Sequence, residues 1–184
     1  MLDPMRLTRA IIAALVTWTT VAIGAPAASA CGVWHLLDTQ RKADVQFLIS
    51  TASVRIGARR VGAFYIAEAP GGVRVLDGRK VVTDVRDGVI LHRGKRVGTL
   101  TADGAVTLAG RAYTIALTNP HLSHDMPSWD VEVRLGDVVI AHGDASSLCA
   151  GFHRDPPLTT AQLEDEVRRR ITYYLVWRDL GRKR

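Results

Sequence analysis

Between residues 45 and 142 apolar positions recur with a period of two, in short runs separated by glycine. Val81, Thr83 and Val85 share one face of their run, and Tyr113, Ile115 and Leu117 share one face of another. Val131, Val133 and Leu135 stand opposite Asp130, Glu132 and Arg134. Such alternation, with charge on the second face, marks antiparallel strands that turn one side to a core and the other to water. The punctuation agrees: Asp77-Gly78, Asp87-Gly88, Arg93-Gly94, Asp103-Gly104, Ala109-Gly110 and Gly136-Asp137 follow at short intervals. Glycine takes positive φ without a Cβ clash, and Asp-Gly between β-prone runs is a clear hairpin signal. The strands predicted between these turns cover residues 73–76, 80–85, 89–92, 96–101, 105–108, 111–118, 129–135 and 138–142. Ahead of them, 45–56 is a run rich in β-branched residues ended by Gly57, and 61–67 is a second run closed by Pro70-Gly71-Gly72. Residues 31–43 begin apolar and become charged, which predicts a lead-in or a single helical turn.

After Pro156-Pro157 the period changes. Thr159 and Gln162 have the spacing of a capping box, and Leu158 and Leu163 that of a hydrophobic staple. Leu163, Val167, Ile171, Tyr174 and Leu175 fall on one helical face. Acidic residues 164–166 come early and Arg178, Arg182, Lys183 and Arg184 come late, the order a helix dipole favours. The pattern predicts an amphipathic helix over about 159–179, packed on the sheet by one face with Arg169 on the opposite, solvated face. Its i,i+4 pairs, Glu164 with Arg168, Asp165 with Arg169 and Glu166 with Arg170, are each expected to add a few tenths of a kcal/mol. The fold expected is mainly β: an antiparallel meander forming a sandwich or small barrel, with one C-terminal helix on it, in a single domain spanning 31–184.

Met1 to Ala30 changes the compartment. Arg6 and Arg9 precede an apolar run over 10–23, broken by Thr17, Thr19 and Thr20, and Ala28-Ser29-Ala30 supplies small residues at a cleavage site. That is the build of a secretory signal peptide, and the run is too short and too interrupted for a membrane span. The expected destination is extracytoplasmic, secreted or periplasmic, with no transmembrane segment in the mature chain. Cys31 and Cys149, the two cysteines of the chain, are then expected to form a disulfide. The alternative is lipid anchoring through Cys31, since Ala28-Ser29-Ala30-Cys31 resembles in part a bacterial lipoprotein box. It departs from that box at Ala28, where the family typically has Leu, and in the apolar residues that follow Cys31.

The formal net charge of +6 favours an anionic envelope polymer, lipid headgroups or another envelope protein as partner, although the charges are dispersed along the sequence as on a generic basic surface. No phosphate-binding glycine loop, zinc-metalloprotease signature or nucleic-acid motif occurs, so neither a cofactor nor a nucleic acid is expected.

Candidate chemistry lies in two stretches. Around Pro120-His121-Leu122-Ser123-His124-Asp125-Met126-Pro127, two imidazoles and a carboxylate could contribute to a Zn²⁺ or Cu²⁺ site completed by His142 or His153, against a preferred reading as a polar loop between two prolines. His142-Gly143-Asp144-Ala145-Ser146-Ser147-Leu148-Cys149 resembles the L,D-transpeptidases, β-rich envelope enzymes whose His-Gly is followed by a Ser-x-Gly-Cys nucleophile segment. The resemblance covers eight residues and departs at Leu148, where the family has Gly, and in the short gap between His142 and Cys149. It implies a Cys149 thiolate activated by His142 or His153, which a disulfide would remove. Trp34, Trp129 and Trp177, with Tyr65, Tyr113, Tyr173 and Tyr174, are read as core, with a carbohydrate-stacking surface as the alternative. The expected function is that of a binding or structural envelope protein with no catalytic residue assigned. The alternative is a small extracytoplasmic enzyme using Cys149, or a metal site at His121 and His124.

Overall fold

The computed structural model describes residues 34–69, 72–77, 80–123, 126–146 and 158–181. Among them are twelve strands and one helix. In chain order the strands are β1 (Trp34–Asp38), β2 (Ala43–Phe47), β3 (Thr51–Ile56), β4 (Arg59–Ala69), β5 (Gly72–Asp77), β6 (Lys80–Arg86), β7 (Val89–His92), β8 (Lys95–Leu100), β9 (Ala105–Leu108), β10 (Arg111–Ser123), β11 (Met126–Leu135) and β12 (Val138–Ser146), followed by α1 (Thr160–Leu180). Each strand pairs antiparallel with its sequence neighbours, and β1 pairs with β12, so the meander closes into a barrel and not a sandwich. Closure leaves no sheet edge unpaired.

The period of two becomes an inside and an outside. On β1, Trp34, Leu36 and Asp38 point inward, and on β2 Ala43, Val45 and Phe47 do the same. Turns follow the glycine signals: Asp87-Gly88 and Ala109-Gly110 both hold positive φ at two successive residues, the geometry that a two-residue hairpin between right-twisted strands requires. Around one level of the lumen alanines separate the large side chains, except where two rings stack on each other. Trp129 lies opposite Ala145, Trp34 opposite Phe47, Phe47 opposite Ala52, and Ala52 opposite Phe64. The Trp34 and Phe47 rings stack at 4.0 Å. Outside, the strands carry Asp44, Glu132, Arg134 and Asp144 together with exposed apolar residues such as Leu37, Tyr65 and Val138. No helix among the described residues is long and apolar enough to cross a membrane.

The helix is where expectation and structure part. Its capping box is formed: Thr159 accepts from the Gln162 backbone N–H, and the Thr159 N–H donates to the Gln162 side chain at 2.8 Å. However, the seven consecutive residues from Arg170 to Val176 are all buried. Successive helical residues step by about 100°, so seven in a row point to every side, and one docking face cannot bury them. The partners confirm enclosure. Arg170 donates to Leu48 O after β2, Arg169 to Val85 O on β6, and Tyr174 to Asp38 on β1, while Asp179 receives Tyr113 of β10. The helix therefore runs through the barrel lumen instead of lying on the sheet, and Arg169 faces the wall, not solvent. What makes this tolerable is internal neutralisation: all three expected i,i+4 pairs are formed, at 3.1, 2.7 and 2.7 Å.

Three smaller corrections have local causes. Residues 34–38 form a strand, not a lead-in, because the inward Asp38 finds polar partners on the helix. The run over 45–56 is two strands with a turn at 48–50. The expected polar loop after residue 118 is largely strand: β10 continues through Pro120 to Ser123, with a register shift between Thr118 and His121 and positive φ at Asn119. Such a bulge admits a proline, which has no N–H to give the ladder.

Candidate functional site

In an up-and-down meander alternate hairpins fall at the same end of the barrel. The helix enters at the end bearing the turns at 48–50, 87–88 and 101–104, and leaves at the end bearing those at 39–42, 57–58, 93–94, 109–110 and 136–137. These two mouths differ in charge. At the exit mouth successive hairpins present Arg41 and Lys42, then Arg59 and Arg60, then Lys80, then Arg93 and Lys95, and Arg111, all exposed. The entry mouth presents Leu48, Ile49, Asp87 and Asp103. The basic residues are far apart in the chain and close in the fold.

Inside the exit mouth the last helical turn is tied to the wall by a buried network. Asp38 is fully buried. Its Oδ2 accepts from Tyr174 Oη at 2.6 Å and from Arg178 Nε at 2.8 Å, and its Oδ1 accepts from the Arg41 backbone N–H at 2.8 Å. Arg178 also donates to Gln40 Oε1 at 2.6 Å and to Asp179 Oδ1 at 3.2 Å. Asp179 in turn receives Tyr113 Oη and Arg111 Nη1. Burial raises the Tyr174 phenol far above its ordinary value, and the bond to Asp38 adds to this. Tyr113 is raised by burial and by Asp179. For Arg178 burial opposes the charge, but the bond to Asp38 and the surrounding negative charge outweigh it and hold the pKa above its ordinary value. The Asp38 carboxylate and Arg178 guanidinium are thus a structural ion pair, with each guanidinium nitrogen bonded within the network.

Above this floor lies an open cleft of about 730 Å³ whose walls include Arg41, Arg59, Arg60, Trp177 and Arg178. Arg178 serves the network, which leaves Arg41, Arg59 and Arg60 at the solvent side. Trp177 stands at the border because Gly62 lets it: a Cβ on Gly62 would lie 2.8 Å from the indole ring. Behind Trp177 is a second cleft of about 310 Å³ with walls that include Phe64, Val75, Leu76, Val82, Val176 and Leu180. Thr83 Oγ1 and His92 Nδ1 meet there at 3.0 Å. Burial, and then neighbouring Arg93, hold His92 below its ordinary pKa, so its ring is neutral near pH 7. A row of guanidinium groups at an open mouth has the chemistry to pair with anions; the second cleft is lined mainly by apolar side chains.

The residues singled out from the sequence lie elsewhere. Cys31, Cys149, His124 and His153 are outside the described residues, so the disulfide, the thiolate pairing and half of the metal pair are too. His121 is exposed on β10, its Nδ1 2.9 Å from Asn119 O. His142 is exposed on β12, opposite Glu132, whereas His121 is opposite Ser128. These places are four positions apart on β11, about 13 Å along a strand, and the two imidazoles are not brought together. Among the described residues no group of three or more His, Cys, Asp or Glu side chains could hold a metal ion. Gly143 has a packing reason, since a Cβ there would sit 2.0 Å from His35 O on β1. Of the aromatics, Trp34, Trp129, Tyr113, Tyr173 and Tyr174 are core as expected, Trp177 lines both clefts, and Tyr65 is exposed.

The cationic mouth was missed because its charges look dispersed along the chain. A signal was present: in a meander, basic residues at every second turn converge on one end, and the pairs Arg41-Lys42, Arg59-Arg60, Arg79-Lys80, Arg93 with Lys95, and Arg111 do recur at that interval. No family model matches the chain, and neither the curated proteins nor the solved structures searched contain a match.

Proposed function

We propose that the protein is an extracytoplasmic binding protein, secreted or periplasmic, whose exit mouth takes an anionic component of the cell envelope, polymer or headgroup. The observation that carries this reading is the convergence of Arg41, Arg59 and Arg60 on one open cleft, rimmed by further basic hairpins. Guanidinium groups that are not committed to a carboxylate offer paired N–H donors to phosphate or carboxylate. The reading of export rests on the leader sequence and on two cysteines. β1, which follows Cys31 in the sequence, and β12, which precedes Cys149, are antiparallel neighbours, with His35 opposite Asp144.

Binding to long-chain polyphosphate in low salt tests this. The parent should bind with an affinity that falls steeply as salt rises, and Arg59→Glu/Arg60→Glu should weaken it by at least about tenfold, or about 1.4 kcal/mol. Equal binding by parent and variant would remove the exit mouth from consideration.

A further inference from the structure

The two clefts of the exit mouth are one site divided by an indole. Both are lined by Ala63, Trp177 and Gly181, so matter bound in one abuts matter bound in the other. Their chemistry is opposite. The larger offers Arg41, Arg59 and Arg60. The smaller is walled mainly by Phe64, Val75, Leu76, Val82, Val176 and Leu180; of its polar lining, Thr83 and His92 bond to each other, and Tyr65, Arg93 and Tyr173 complete it. A ligand entering the smaller cleft therefore meets mostly hydrocarbon, and each methylene withdrawn from water adds about 0.8 kcal/mol. At about 310 Å³ the smaller cleft suits one short hydrocarbon arm and not a folded peptide.

We infer that the mouth binds a single-chain acidic amphiphile, with its anionic head among Arg41, Arg59 and Arg60 and the near end of its hydrocarbon chain behind Trp177. This rests on the reading of the mouth as an anion site and adds the identity of the molecule's other half. Charge complementarity selects the head, and the adjoining apolar wall selects the tail. A purely ionic polymer would use the first cleft and leave the second empty. A neutral detergent would use the second and gain nothing from the arginines.

The test is calorimetric titration of the full-length purified protein with three probes below their micellar concentrations: monododecyl phosphate, inorganic phosphate and dodecyl maltoside. Monododecyl phosphate should bind at least about tenfold more tightly than either of the others. Leu180→Glu, which places a carboxylate in the apolar wall, should abolish that advantage, so that monododecyl phosphate binds the variant no more tightly than inorganic phosphate does. Arg59→Ala/Arg60→Ala should weaken both phosphates by about tenfold or more. If monododecyl phosphate binds no better than inorganic phosphate, or if Leu180→Glu leaves its binding unchanged, the amphiphile is wrong while the anion site stands. If the arginine variant binds both phosphates like the parent, the anion site is wrong as well. Should Leu180→Glu fail to fold by circular dichroism, Val82→Glu on the opposite wall makes the same test.

Discussion

The two mouths of the barrel hold the same helix by different means. Where the helix enters, its arginines pair with carboxylates one turn back in the helix itself, and Arg169 and Arg170 also donate to wall carbonyl oxygens, Val85 O and Leu48 O. Where it leaves, Arg178 and Tyr174 find their partner, Asp38, on the barrel wall. The entry end carries carboxylate partners for its arginines within the helix, whereas the exit end is complete only when helix and β1 are together. Anchoring of the second kind leaves Arg41, Arg59 and Arg60 uncommitted, because Asp38 and Asp179 are buried and engaged beneath them. That is how one end of a barrel keeps a cationic opening without losing hold of its central helix.

The comparison can be broken. Its largest expected effect is at the exit: Arg178→Ala leaves Asp38 buried without its cation and should cost about 3–5 kcal/mol in urea unfolding. Arg169→Asp at the entry loses the Val85 carbonyl bond and sets two carboxylates against each other at i,i+4, which should cost about 2 kcal/mol. A helix docked by one face would predict almost nothing for that change, and an Arg169→Asp cost equal to that of Arg178→Ala would erase the distinction between the mouths. The smallest effect is in pH. Unfolded, His92 takes up a proton near 6.5; folded, burial and Arg93 hold its pKa lower. Below about pH 6.5 the unfolded chain therefore binds the extra proton, so the stability present at neutral pH declines as the solution is acidified through that window. The thermal midpoint of His92→Gln should fall less than that of the parent between pH 7 and 5.

Much of this architecture was legible in residues whose partners are near in sequence. The limits of β7 and β9, the glycine turns, the capping box and the three i,i+4 pairs all follow from local chemistry. What escaped depended on distant partners. Asp38 spoils the apolar alternation of β1, and only Tyr174 and Arg178, at the other end of the chain, explain its inward position. Arg168, Arg169 and Arg170 look like a solvated face until the barrel is seen to close around them. At the site, His121 and His142 stood out because imidazoles are few, yet they lie exposed and separate. Arg59 and Arg60 did not stand out, because arginine is common and its meaning here comes from hairpin parity.

A filled lumen also governs the order in which the molecule can be made. The lining of the tube is apolar, and the helix that covers it follows all twelve described strands in the chain. The closing seam, in which His35 faces Asp144, likewise awaits the last strand. Contacts of such long sequence separation make folding slow, and incomplete chains expose hydrocarbon in the meantime. A polypeptide halted after Ser146 would be a sleeve with nothing inside it, unable to hide Leu36, Val54, Val85 or Ile115. Such a species is a substrate for chaperones and proteases, so the helix makes the difference between a chain that is merely synthesised and one that survives.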